Sequence, residues 1–523
     1  MRSDLFTVPQ AITIGARHHP EKVALIQGDT RITYQQLNEE SNRVSNGLRS
    51  LGVEKGDKIA LLLTDSIYFV ELWYGAVKAG AVPVTINYRL NREEILYQVA
   101  YSESKVLVTE SQLFENAKDL PSTLGLRAFI SLDFRIEKSI YFVNFKKASS
   151  AETPAIDLAA GDPCWIRYTS GTTGKPKAAV LSHGSIMFCA AQWAREYDLK
   201  YRTVYASVFP LSGGGTYFVV ANHYAGATVI LYSRFDPAEI AKSVEREKVT
   251  TLIMAPTMYN MFLNFVENER KKYDLSSVTT VVSCASPLSS KTVGRLTNEF
   301  PNAGLHNGYG TSEMAGNATN LKPEEFAQKG TSVGRPVSGW EIRVVDEEGR
   351  DLPTGQAGRI VVRGPNLFLG YYKDEEGTKK AFLGDWFGTG DIGRFDEDGY
   401  LYLVDRYHDM IISGGFNIYA IEVEMILNSH PEIAEAAVIG APDEVWGEVV
   451  KAVVVLRDGS HLTAEKIIEY CSRRMSSYKK PRKIEIVEEL PKNWMGKIDK
   501  QELRKRSGNG IALGSFQGGI GER

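Results

Sequence analysis

Cysteine, long apolar runs and net charge are all scarce in this chain of 523 residues. Cys164, Cys189, Cys284 and Cys471 stand far apart and form no Cys-x-x-Cys pair, which argues against a zinc knuckle or a disulfide framework and fits a reducing compartment. No uncharged apolar run approaches the ~18 residues that span a bilayer, and the first residues, MRSDLFTVPQAITIGARHHP, hold no run of signal-peptide length. A transmembrane segment is not expected, and a cytoplasmic location is. The 61 basic and 64 acidic residues leave a formal charge of −3, too little field to hold a polyanion, so nucleic acid is not an expected partner.

What is present is ordinary globular material. Hydrophobic residues make up 43% and charged residues 24%, near the averages for folded soluble proteins. The length exceeds the ~250 to 300 residues over which one core keeps growing, so two or more domains are expected. Leu37, Val44, Leu48 and Leu51 recur at helical spacing, and the strand-like KIALLL follows at 58–63. A helical SIYFVELWYGAVKAG, the strand AVPVTI, a helical NREEILYQVAYSE and the strand KVLVT continue the alternation, which builds parallel sheets covered by helices.

Strands such as ATVIL and TLIMA carry the pattern to about residue 340, and RVVDEEGRDLPTGQAGRIVVRG then reads as short strands and tight turns. The expected fold is α/β: a large N-terminal domain of doubly wound parallel sheets with a β-rich subdomain over 1–405, and a small α+β domain over 406–506 joined by a hinge. Residues 507–523, rich in Gly and polar residues, are expected to be a disordered tail.

The densest local signal is YTSGTTGKPKAAVLSHG at 168–184. Thr169, Ser170, Gly171, Thr172, Thr173, Gly174, Lys175 and Lys177 follow the strand-like CWIRY. Glycines let backbone N–H groups turn toward an anion, hydroxyls donate to it, and lysines supply charge, so the loop suits phosphate. It is not a Walker A loop, because Lys175 is followed by Pro176 and no glycine stands at Thr169.

TSGTTGKPK resembles the signature of the adenylate-forming superfamily, which contains acyl-CoA synthetases, peptide-synthetase adenylation domains and luciferases. Further stretches similar to that family's motifs follow in order: NGYGTSEMAG at 307–316, GRIVVRGPNLFLGYY at 358–372, WFGTGDIG at 386–393, DRYHDMIISGGFNIYAIEVE at 405–424 and PKNWMGKIDKQEL at 491–503. The chain is identified as resembling the acid:CoA ligase branch. That implies an ATP-dependent, AMP-forming ligase that makes an acyl-adenylate and passes the acyl group to coenzyme A.

The motifs also make chemical sense singly. Asn307, Gly308, Tyr309 and Gly310 read as a turn whose backbone can approach a flat base, with Tyr309 available to stack. Thr311 and Ser312 stand next to it, and Ser312 can donate to phosphate. Glu313 is an oxygen ligand of the kind Mg²⁺ takes, with Thr169 as a second candidate ligand. By resemblance, Ala285 and Ser286 in SCASPL line the adenine and acyl sites, Asp391 accepts from the ribose hydroxyls, and Arg406 reaches ribose or phosphate. The same resemblance places Asn417 at the nucleotide and the hinge at His408, where relatives more often carry Asp or Lys.

Lys497 matches the family's C-terminal catalytic lysine, a cation that can bridge the attacking carboxylate and the α-phosphate while charge builds on the phosphoryl oxygens. Gly414 and Gly415 would line the pantetheine path. Trp446, Tyr478, Lys480 and Arg482 would hold the CoA nucleotide, as in benzoate-type ligases.

The implied co-substrates are ATP and CoA, with Mg²⁺ as cofactor, and a homodimer is left open. Two departures stand out. Ala178 replaces the usual glycine after KPK, which is tolerable at negative φ. FPLSGGGTYF at 209–218 puts three glycines where relatives carry an aromatic residue and a histidine that gates the acid. The acid is left open among aryl, medium-chain and long-chain compounds, with aryl or medium-chain acids preferred. A freestanding adenylation enzyme loading a carrier protein and a luciferase-like adenylating oxygenase are the alternatives, and the second shares every motif. A catalytically silent binding protein is disfavoured by the retained Lys497, Glu313, Asp391 and Arg406.

Overall fold

The computed structural model describes residues 6–507, leaving out 170–175, 270–272, 287, 407–408, 414–415, 444–445, 476, 478 and 493–496, together with the side chains of 405, 406, 412, 416, 417 and 447. The chain divides into two units. The larger comprises Met1–Thr389 with Arg394–Leu403, and the smaller Gly390–Gly393 with Val404–Arg523. The α/β class expected from the alternation is the one found.

Capping and burial explain the first helices. Tyr34–Ser50 starts at Thr33, whose hydroxyl accepts from Gln36 N at 3.2 Å while the Gln36 side chain accepts from Thr33 N at 2.9 Å, a reciprocal box that satisfies two otherwise orphaned donors. Leu37, Val44 and Leu48 lie on its buried face. Ile67–Lys78 is capped by Ser66 and buries Phe69, Val70, Leu72, Trp73 and Tyr74, as a helix apolar on nearly all sides must. A Cβ at Gly75 would lie 2.3 Å from Val44 Cγ1, so this glycine is what lets the two helices approach.

One sheet of the larger unit runs Gly370–Tyr371, Lys177–Ser182, Pro163–Thr169, Val82–Ile86, Lys58–Leu62, Val106–Thr109, Ala128–Ser131, Ile140–Tyr141. Its strands are parallel from Pro163–Thr169 onward. Lys177–Ser182 and Gly370–Tyr371 add to its edge in antiparallel fashion.

A second sheet runs Arg335–Pro336, Gly316–Leu321, Gly304–Thr311, Thr280–Ser283, Thr251–Met254, Val204–Ser207, Thr228–Leu231, Val23–Gln27, Thr30–Thr33. Its first long-range pairing brings Leu25 beside Val229. Between the sheets' elements lies an aromatic core in which Trp73 and Trp165 meet edge-on at 5.8 Å, a geometry worth ~1 kcal/mol beyond burial. The β-rich region expected after residue 340 is a third sheet of Glu341–Val345, Gly358–Arg363, Trp386–Phe395, Phe382–Leu383 and Leu401–Arg406.

In the smaller unit, Ile433–Asp443 and Gly447–Leu456 form a long antiparallel pair, with Lys483–Val487 parallel to the second strand. The helices Ala420–Asn428 and Ala464–Ser472 bury Val423, Leu427, Ile467 and Cys471 against Ile433, Val438, Val450 and Val454. Among the described residues no helix is long and apolar enough to cross a membrane.

Candidate active site

Most of the glycine-rich loop, Ser170–Lys175, lies outside the described residues, but its two ends are placed. Thr169 closes one strand, Lys177 opens the next, and the two pair in register, with Thr169 Oγ1 donating to Lys177 O at 3.4 Å. The loop therefore joins two antiparallel strands and does not run into a helix. The next helix begins only at His183, so any hold on phosphate relies on loop N–H groups, hydroxyls and lysines and not on a helix N-terminus. Ala178 lies within the second strand and is absent from the residues with positive φ, which satisfies the condition set for it.

The reading of Asn307–Gly310 as a turn is corrected. These residues lie inside the strand Gly304–Thr311, paired with Thr280–Ser283 on one side and Gly316–Leu321 on the other. Close approach, not a turn, is what demands the glycines. A Cβ at Gly308 would lie 2.2 Å from Asn317 Nδ2, and one at Gly310 would lie 1.8 Å from Gly316 O. Asn307 Nδ2 donates to Ser332 O at 2.9 Å, and Tyr309 is only 6% exposed.

After this strand a short turn, Ser312–Met314, presents Glu313 and ends at Ala315 with φ +47°. The segment Asn366–Tyr372 holds the turn in place. Phe368 N donates to Glu313 O at 2.7 Å, Asn366 Nδ2 donates to Met314 O at 2.9 Å, and the Tyr371 hydroxyl donates to Glu313 Oε1 at 3.0 Å.

The same segment is tied to the strand that leaves the glycine-rich loop. Leu369 N donates to Val180 O and Tyr372 N to Ala178 O, both at 2.8 Å, and Lys177 Nζ lies 4.6 Å from the Tyr371 ring centroid. Burial first, and then the Glu313 carboxylate, push the Tyr371 phenol well above its ordinary pKa, so it stays a hydrogen-bond donor. Seven residues thus bring Thr169, Lys177 and Glu313, which come from two different sheets, into one neighbourhood. Tyr371 lay within a recognised motif without being given a role. Its signal was a phenol three residues after the apolar Phe368.

Glu313 and Thr311 offer oxygens of the type a hard cation takes. The Thr311 hydroxyl is buried with no hydrogen-bond partner among the described residues, so this donor set fits Mg²⁺. Ala285 is exposed with φ +72° and Ser286 is half-buried, just beyond the strand Thr280–Ser283. Asp391 is buried in the strand Trp386–Phe395.

In the smaller unit, Arg406 ends one strand and Asn417 lies in another, their side chains outside the description. His408, Gly414, Gly415 and Tyr478 also lie outside the described residues. Trp446 is exposed, and the Arg482 guanidinium lies 4.6 Å from its ring centroid. Lys480 is half-buried, and Lys497 is exposed just before the helix Lys500–Arg506.

Beside the triple glycine, the larger unit contains a residue that the sequence reading did not single out. On the strand Pro163–Thr169, Arg167 shares a face with Trp165 and Thr169. Its guanidinium carbon lies 5.3 Å from the Tyr217 ring centroid and 5.9 Å from that of Trp165. A lone arginine in the apolar run CWIRY was the available signal. The triple glycine forms a wide turn at Leu211–Gly215, and Asp65 Oδ1 accepts from Leu211 N at 2.8 Å. Burial raises the Asp65 carboxyl pKa to about 7, against the opposing pull of that hydrogen bond and of Arg89.

The family models for the AMP-binding enzyme and for the AMP-binding enzyme C-terminal domain match residues 13–372 and 422–497. The chain belongs to the AMP-binding enzyme family. Within that family it is an acyl-CoA synthetase, an AMP-forming acid:CoA ligase. It is 35% identical over 499 residues to a feruloyl-CoA synthase of Amycolatopsis sp, covering 94% of this chain and 97% of the relative. It is 34% identical over 485 residues to the long-chain-fatty-acid–CoA ligase FadD13 of Mycobacterium tuberculosis, covering 91% and 93%. Among solved structures, the anthranilate CoA ligase AuaEII in complex with anthranoyl-AMP superposes with a TM-score of 0.89 at 28% identity, over 97% of this chain and 99% of that one.

Proposed function

We propose that this ligase activates an aryl acid, with the large unit binding ATP and acid and the small unit supplying Lys497 and then the CoA path. One observation carries the proposal: the Asn366–Tyr372 segment bonds both to the Glu313 turn and to the strand leaving the glycine-rich loop. A carboxylate suited to a hard cation is thereby tied to the strand that follows a loop of phosphate-binding composition. Relatives named for feruloyl-CoA and 4-coumarate-CoA formation, and a structural neighbour bound to anthranoyl-AMP, support an aryl substrate.

In the first half-reaction the acid carboxylate attacks the α-phosphorus of ATP and pyrophosphate leaves. Loop donors and Lys177 hold phosphate oxygens, and Lys497 neutralises charge on the attacking and phosphoryl oxygens. Glu313, oriented by the Tyr371 hydroxyl, and the Thr311 hydroxyl are the oxygens that would hold Mg²⁺, which when bound supplies charge neutralisation to the triphosphate. Asp391 and Arg406 grip the ribose. In the second half-reaction the CoA thiolate attacks the acyl carbon and AMP leaves, after the small unit reorients about His408 and carries Lys497 away. Gly414 and Gly415 border the pantetheine, and Trp446, Tyr478, Lys480 and Arg482 meet the nucleotide.

The four cysteines are free and buried, which supports a cytoplasmic setting. The test is acid-dependent ATP–pyrophosphate exchange followed by thioester detection, across matched aryl, medium-chain and long-chain acids. Turnover of long-chain acids with no response to aryl acids would reject the substrate class.

A further inference from the structure

We propose that Arg167 is a specificity residue and that the acid this ligase takes carries a second anionic group, a carboxylate remote from the one it activates. The proposal rests on the ligase reading given above and adds a substrate class to it. Its basis is a half-buried guanidinium that has no carboxylate partner within ion-pair distance among the described residues and that stands beside an opening.

Arg167 is framed by aromatic side chains and hydrogen-bonds to the Tyr217 side chain, and it meets no carboxylate among the described residues. Trp165 is fully buried, and its Nε1 donates to Thr85 Oγ1 at 3.0 Å. Thr85, on the neighbouring strand and paired in register with Arg167, in turn donates its Oγ1 to Ser212 O at 2.9 Å, fixing the start of the triple-glycine turn against the same sheet. Tyr217 is 4% exposed and donates its hydroxyl to Ser312 O at 3.2 Å. The aromatic rings attract the guanidinium through their faces, and the Tyr217 side chain takes one hydrogen bond from it, but neither neutralises its charge or engages its planar fork bidentately. A cation kept partly out of water in this way is stabilised most by an anion that accepts from the fork.

The three glycines are not equivalent. A Cβ at Gly215 would lie 2.3 Å from Phe209 O and 2.8 Å from Pro210 O, so packing demands that glycine. At Gly213 and Gly214 the one described atom within 4 Å of a built Cβ is Arg167 Nη2, at 3.8 and 3.9 Å. Packing does not require glycine at these two positions, and a side chain at either would cover the guanidinium. Among the described residues, no side chain at these two positions covers Arg167.

The geometry also separates Arg167 from the reacting carboxylate. Thr169, where the glycine-rich loop begins, is two residues further along the same strand face, about 7 Å away at the usual strand rise. An acid whose reacting carboxylate reaches that loop and whose body extends back past Gly213 and Gly214 brings its far end to Arg167. Because the pairing is charge-assisted and bidentate, an acid with a remote carboxylate should be favoured by about tenfold or more in kcat/KM over its uncharged counterpart.

The experiment measures ATP–pyrophosphate exchange by the full-length wild-type enzyme with three acids on one skeleton: 3-phenylpropenoate, its para-carboxylate and its para-aminomethyl derivative. The para-carboxylate is expected to give the highest kcat/KM and the ammonium compound the lowest. In Arg167→Met the ratio of dicarboxylate to monocarboxylate should fall to about one, and Arg167→Lys should recover part of it. Gly214→Leu should depress the dicarboxylate more than the monocarboxylate. Equal kcat/KM for the three acids in the wild-type protein would overturn this inference while leaving the ligase reading intact. So would an Arg167→Met variant that slows the mono- and dicarboxylate by the same factor. Exchange with no acid of any class would overturn both.

Discussion

The hydroxyl of Tyr371 donates to Oε1 of Glu313 at 3.0 Å across 58 residues of sequence. It fixes one oxygen of the carboxylate, and the other is the one proposed to meet Mg²⁺. Tyr371→Phe removes only this donor. A neutral donor to a charged acceptor contributes ~1 to 2 kcal/mol, so the Mg²⁺ concentration for half-maximal pyrophosphate exchange should rise roughly fivefold or more. An unchanged Mg²⁺ titration in both Tyr371→Phe and Glu313→Gln would remove Glu313 from the cation site.

Lys497→Ala should lower adenylate formation by ~10² to 10³-fold, the usual loss when a donor to developing charge is removed. It should spare thioester formation from a supplied acyl-adenylate. Gly414→Val should do the reverse by narrowing the pantetheine path. Measuring the two half-reactions separately decides both, and equal losses in a folded Lys497→Ala protein would count against the assignment.

Gly310→Ala places a methyl carbon 1.8 Å from Gly316 O, an overlap that only backbone movement can relieve. Unfolding in urea should show a loss above about 3 kcal/mol. A change below about 1 kcal/mol would mean that the two strands separate more readily than their pairing implies.

Asp65 gives the protein a stability slope in mild acid. Burial raises its carboxyl to about 7 in the folded state, while the unfolded value is about 4. Between those values the folded state binds more protons than the unfolded state, so this group's contribution is full below pH ~4 and is lost as pH rises through 7. Asp65→Asn keeps an acceptor for Leu211 N and carries no charge. It should melt higher than wild type at pH 8 and close to it at pH 4. A wild-type-like slope in the variant would assign the effect to another group.

The helices and strands were legible wherever one face or the whole element is apolar. KIALLL, AVPVTI and KVLVT became adjacent strands because each is buried throughout its sheet. Sequence alone misread NGYG, because glycine marks both turns and close backbone contact. The choice between them is made by Gly316 and Asn317 on the neighbouring strand. Motif order singled out Glu313, Lys177 and the stretch 358–372, but not that the last ties the first two together, because the bonds from Phe368, Leu369 and Tyr372 are made by backbone N–H groups common to every residue type. Arg167 went unnoticed for a related reason. Its meaning depends on Gly213 and Gly214, which lie more than forty residues downstream.

The pairing of Leu25 with Val229 also sets a timetable for synthesis. Ala24, Leu25 and Ile26 are buried in the finished protein, yet their parallel neighbour is translated about 200 residues later, which at ~5 to 20 residues per second is an interval of roughly 10 to 40 s. Throughout it the nascent chain carries an apolar strand with one edge unfilled. Ribosome-associated chaperones have their longest opportunity there, and slowing translation ahead of residue 228 would lengthen it.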